Sequence, residues 1–176
     1  MRKIYVFIGA LLLAWGLSAC GNEKEPLESA KITEGPYTFE IPQSFIKDEK
    51  KSGGDKVYYV SGVYGEASYV LYEKLSEKIR LEELTEEVLI KETNKWLKEE
   101  FLTNTKAEIK EYSLTDKGEE KMLSYVISYN LYSAIVNNNH FYYEKEGELY
   151  HLEYYDVEEE GYHTSFDTYR KNVIIE

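Results

Sequence analysis

The chain has 176 residues, with 33 acidic against 21 basic side chains, a formal charge of −12 and a single cysteine. The negative excess excludes nucleic acid, whose phosphates it would repel, and attachment to anionic headgroups by charge alone. One cysteine excludes an intrachain disulfide, so the fold stands without covalent staples.

The first 19 residues have the layout of a secretory signal peptide. Arg2 and Lys3 are followed by an uncharged run of 14 residues, Ile4 to Leu17, and then by small residues. A membrane-spanning helix needs about 20 apolar residues, so this run predicts a leader and not a permanent span. Leu17-Ser18-Ala19-Cys20, followed by Gly21, resembles the bacterial lipobox of lipoproteins cut by the lipoprotein signal peptidase. The resemblance implies that Cys20 becomes the new N-terminus and carries a diacylglyceryl group on sulfur. Two fatty chains hold a protein stably where one holds it only marginally, at about 0.8 kcal/mol per buried methylene. The expected location is the outer face of the cell membrane, with the lipid as anchor. Cleavage before Cys20 removes two basic residues and no acidic one, so the charge falls from −12 to −14.

Residues 20–35, with Gly21, Pro26 and a Glu/Lys mixture, predict a flexible tether. Residues 36–176 are of one-domain size. Tyr37, Phe39 and Ile41 alternate with polar residues in a strand ended by Pro42. Ser52-Gly53-Gly54-Asp55 is a turn, and 56–63 and 66–75 form a hairpin of strands. Leu81, Leu84, Val88, Leu89, Thr93, Trp96, Leu97 and Phe101 recur at three- and four-residue spacings, which predicts one helix over 81–102.

Strands over 106–114 and 121–132 flank a turn at Thr115-Asp116-Lys117-Gly118. Pairing Thr115 with Glu119 would set Ile109 opposite Tyr125 and Ala107 opposite Ile127. Asn137-Asn138-Asn139 is expected to turn. Strands 140–145 and 148–156 form a hairpin around Glu146-Gly147, with His140 opposite Glu153 and His151 opposite Tyr142. Glu158 to Gly161 is expected to be a solvated loop, and a helix over 162–173 closes the chain. Seven strands without regular helical alternation predict an α+β fold: an antiparallel sheet with the long helix and the C-terminal helix packed on it.

The start Tyr37-Thr38-Phe39-Glu40-Ile41-Pro42 and the late Gly147-Glu148-Leu149-Tyr150-His151-Leu152-Glu153-Tyr154, with Phe166, resemble the opening strand and closing hairpin and helix of the PsbP-like family. The resemblance implies an α-β-α sandwich around an antiparallel sheet and carries little chemistry.

No short motif for catalysis is present, neither HExxH nor G-x-S-x-G, and the only cysteine is assigned to lipid. No catalytic residue, metal ligand or cofactor is therefore assigned. His151 and His163, with Glu153 and Asp156 between them, lack metal-ligand spacing. The tyrosine doublets are the strongest binding signal, because adjacent strand residues face opposite ways and one ring of each faces outward. Tyr58, Tyr142 and Tyr155 are the candidate contacts for a protein, peptide or glycan ligand. The expected function is a non-catalytic binding or assembly module at the cell envelope; the alternative is an envelope hydrolase or metal-dependent enzyme.

Overall fold

The computed structural model describes residues 25–63, 66–76 and 79–176; Cys20 and the leader lie outside them. The first described elements are strands β1 (Ser29–Glu34), β2 (Tyr37–Pro42), β3 (Phe45–Lys47), β4 (Lys56–Ser61) and β5 (Tyr69–Leu75). A 3₁₀ turn, Leu81–Glu83, leads into helix α1 (Glu86–Phe101). Strands β6 (Glu108–Asp116), β7 (Glu120–Leu131), β8 (Ala134–Lys145) and β9 (Glu148–Val157) follow. After a 3₁₀ turn at Glu158–Glu160 come helix α2 (His163–Tyr169), a further 3₁₀ turn and β10 (Ile174–Ile175).

Two antiparallel sheets result. Seven strands run in the order β3-β4-β5-β9-β8-β7-β6, and β2 sits between β1 and β10 in a small second sheet. One core lies between the sheets. Tyr37, Phe39 and Ile41 of β2 and Phe166 and Tyr169 of α2 pack there against Val70, Leu152 and Tyr154. The second core lies on the other face of the large sheet, where Leu89 and Leu97 of α1 meet Leu123, Ile127 and Tyr129 of β7. The layers are therefore small sheet plus α2, large sheet, and α1. This is the expected α+β arrangement of an antiparallel sheet with both helices packed on it.

Several local expectations need correction. Residues 29–34, expected in the tether, form β1, paired with β2 through a turn at Gly35. The helix begins at Glu86 and not at 81, because the Thr85 hydroxyl accepts from Val88 N–H and caps it there. In the β6–β7 hairpin, Asp116 pairs with Lys121 and a bulge falls between Ile109 and Glu111. Ile109 therefore faces Ile127, and Tyr125 faces Tyr112. A longer turn and one extra residue shifted the pairing.

The three asparagines do not turn; they are buried inside β8. Their side chains are met by Glu158, Glu153 and the Tyr154 carbonyl. The chain reverses instead just before β8, where Tyr132 takes a left-handed φ of 56°. The loop of glutamates is also not merely solvated. Glu160 accepts from the Ala67 and Ser68 amides, and Glu159 from that of Ile135.

Candidate functional site

Cross-strand pairing carries side chains of five strands onto one face of the large sheet. One row runs Tyr58, Leu71, Glu153, His140, Tyr125. The next runs Lys56, Glu73, His151, Tyr142, Leu123, and a third runs Val60, Tyr69, Tyr155, Asn138, Ile127. This is the face that α1 covers farther along, over β7.

At the centre is a chain of polar contacts. Lys56 lies 3.2 Å from Glu73. Glu73 Oε1 lies 3.0 Å from His151 Nδ1, and His151 Nε2 lies 3.0 Å from His140 Nδ1. A carboxylate can only accept, so His151 Nδ1 carries the proton and its Nε2 presents a lone pair, which takes the proton of His140 Nδ1. The bond from His151, followed by Lys56, holds Glu73 below the usual carboxylate range despite its burial. Burial, and then the neighbouring His151, push His140 well below the ordinary imidazole value.

Glu153, 7% exposed, completes the cluster. Its Oε1 accepts from Asn138 Nδ2 at 2.7 Å and from the Tyr69 hydroxyl at 3.1 Å. Burial, with Glu153 beside it, raises Tyr69 above the usual phenol value, so its hydroxyl stays a donor. Aromatic rings wall the cluster. Tyr142 stacks on His151 at 4.3 Å and Tyr125 on His140 at 4.6 Å. Tyr155 lies parallel to Tyr69 at 4.8 Å, with Tyr58 edge-on to Tyr69 at 5.7 Å.

Tyr58, Tyr142 and Tyr155 thus fall on one face, each half-buried and each against a member of the polar cluster or its ring wall. The structure places His163 elsewhere, on the opposite face, where its Nδ1 lies 2.6 Å from Asp156 Oδ2. That pair lines a separate cavity of about 280 Å³ with Asn137, Lys110 and Arg170. His151 and His163 therefore do not converge, because Glu153 and Asp156 stand three apart on a strand and face opposite ways.

The hairpin also gathers three side chains of the types that can ligate a metal. His140, His151 and Glu153 bring donor atoms within 4.8 Å of one another. They lie 11 and 13 residues from His140, so no short motif announced them; the hairpin assembles them. Glu73, Tyr69 and Asn138 were missed as site residues. Glu73 and Tyr69 arrive from β5, some 80 residues away in sequence.

No family model matches the chain, and no curated protein matches it either. A solved structure does share its architecture. The solution structure of cyanobacterial PsbP (CyanoP) from Synechocystis sp. PCC 6803 is similar at a TM-score of 0.54 and 15% identity. The match covers 92% of this chain and 99% of that one. The fold is PsbP-like. At that identity the likeness concerns the path of the PsbP-like backbone alone, and the polar cluster is argued from this chain's own residues.

Proposed function

We propose that the protein is a lipid-anchored module on the outer face of the cell membrane that binds its ligand through the aromatic–histidine face without transforming it. One observation carries the reading: three half-buried tyrosines from three different strands surround one histidine–carboxylate cluster on one face of the large sheet. Half-buried tyrosine offers large contact area at low entropy cost, with a hydroxyl for orientation. The anchor rests on the residues around Cys20. Among the described residues no helix is long and apolar enough to cross a membrane. Binding without catalysis is supported by the cluster's partners: its histidines are committed to each other and to Glu73, and Glu73 to Lys56.

Two experiments test the reading. Wild-type protein should take up a clickable fatty-acid label and Cys20→Ala should lose it; equal labelling overturns the anchor. Chemical shifts should be followed while muropeptides, oligosaccharides and peptides are added. They should move around Tyr58, Tyr142 and Tyr155, and Tyr58→Ala should weaken binding about tenfold, as a contact worth about 1.4 kcal/mol would. Shifts confined to the α2 side would sink the assignment. A second reading, a metal-dependent envelope enzyme, draws on the two-histidine, one-glutamate donor set, a type that also holds catalytic zinc. Turnover of any ligand that moves these resonances would favour it.

A further inference from the structure

We propose that His140, His151 and Glu153 together bind one zinc-class divalent ion between β8 and β9. The proposal deepens the preceding one and rests on the same face being the binding face. The three donor atoms lie within 4.8 Å of one another. A tetrahedral ion with bonds of about 2.0–2.1 Å separates its ligand atoms by roughly 3.3 Å. The two imidazole nitrogens already stand 3.0 Å apart, close to that separation; in the hydrogen bond they aim at each other, so each ring must turn within its plane by roughly 35° to aim at a common ion. The carboxylate closes by about 1.5 Å at most, within reach of side-chain rotation.

The surroundings have the form that metal ligands need. A ligating histidine usually donates its other N–H to a carboxylate, which fixes its tautomer and aims its lone pair. His151 does this to Glu73, which Lys56 holds in turn. Asn138 and Tyr69 orient Glu153 in the same way. Stacked Tyr142 and Tyr125 limit the swing of the two imidazoles. The buried Asn138 Oδ1, two residues from His140 on the same face, has no donor among the described residues. A water on the ion's fourth position would supply one.

Two nitrogens and one oxygen select a borderline ion over magnesium or calcium, which prefer oxygen throughout. Coordination through Nδ1 moves the His140 proton to Nε2. No proton leaves these imidazoles and no electron is transferred. The chain's negative charge favours a cation over an anion.

The test uses the mature lipidated protein in detergent micelles, stripped with chelator and titrated with zinc chloride. One equivalent should bind and survive a hundredfold excess of magnesium. Side-chain ¹⁵N resonances of His140 and His151 should move while His163 stays fixed. Glu153→Gln, which keeps the shape and one acceptor, should weaken binding tenfold or more. Glu73→Ala should weaken it about 10–100-fold, as loss of an orienting partner does. His163→Gln should bind as wild type does. The unmodified protein's histidine resonances decide the matter even if a variant unfolds. Movement of His163 alone, of no histidine, or full affinity in Glu153→Gln would place the ion on surface carboxylates and overturn the proposal. If envelope ligands shift Tyr58 and Tyr155 while zinc moves neither histidine, the metal site falls and the binding face stands. If zinc moves both histidines and no envelope ligand touches the face, the metal site stands and the wider ligand reading falls.

Discussion

Burial works against the charged form of Asp156. It is 1% exposed; one oxygen meets His163 at 2.6 Å and the other has no donor among the described residues. Burial raises its pKa from 3.8 to about 6, against the pull of His163. Between those two values the folded state holds a proton that the unfolded state has released. Stability from this group is therefore full below pH 3.8 and is lost as pH rises through 6. The loss amounts to about 3 kcal/mol at most, at 1.36 kcal/mol per unit. Asp156→Asn cannot titrate and still offers His163 an acceptor. Its stability relative to wild type should rise by about 2–3 kcal/mol between pH 4 and pH 7.5 in urea unfolding. A difference that stays constant across that range would show that Asp156 titrates normally.

At the scale of single elements, two left-handed residues set the clearest expectations. Gly35 turns β1 into β2 at φ +53°, and a methyl group there would stand 2.2 Å from the Tyr72 hydroxyl. Gly35→Ala must both strain the backbone and push a ring that packs edge-on to Tyr37 at 6.3 Å. The cost should be about 2–3 kcal/mol in denaturant unfolding; less than 0.5 kcal/mol would mean the hairpin is not held as described. Leu102 ends α1 at φ 53° and is 88% exposed, so it contributes strain and little burial. Left-handed strain of about 1–2 kcal/mol exceeds the chain-entropy cost of glycine, about 0.5–1. Leu102→Gly should therefore raise the melting temperature by about 2 °C; a fall would mean that the side chain makes contacts the exposure hides.

These local rules also mark what was legible. The tight Glu146-Gly147 turn fixes its hairpin, so the His140–Glu153 and His151–Tyr142 pairs follow from sequence and stand in the structure. Asn137 to Asn139 misled because their extended form depends on Glu153 and Glu158, which no local window contains. For the same reason half the polar cluster was visible and the half from β5 was not. Sequence alternation says which way a residue faces, but not which distant strand lies beside it.

At the scale of the whole molecule, the place where the chain enters the fold would decide which side of the proposed anchored protein faces the bilayer. The Leu27 amide donates to Ser165 at 2.8 Å, and its carbonyl accepts from the Tyr169 hydroxyl at 2.6 Å. The chain is thus fixed to α2, in the layer on the opposite side of the large sheet from α1 and the histidine cluster. With Cys20 acylated, as proposed, the seven residues to Leu27 span at most about 25 Å. A domain of this length has a radius of gyration of about 14 Å and is roughly 35–40 Å across. Bringing the α1 side to the membrane would carry Leu27 farther away than that span allows. On that proposed anchor the aromatic–histidine face would not lie against the bilayer.

Because the chain has one cysteine, an added one is the only free thiol once Cys20 is acylated. A dye on Ser44→Cys, beside Leu27 and Glu28, should be quenched several-fold more by nitroxide-labelled lipid than a dye on Lys95→Cys, exposed on α1. Equal quenching would mean that the body turns freely on its anchor, and that access to the cluster is not set by the way the chain leaves the membrane.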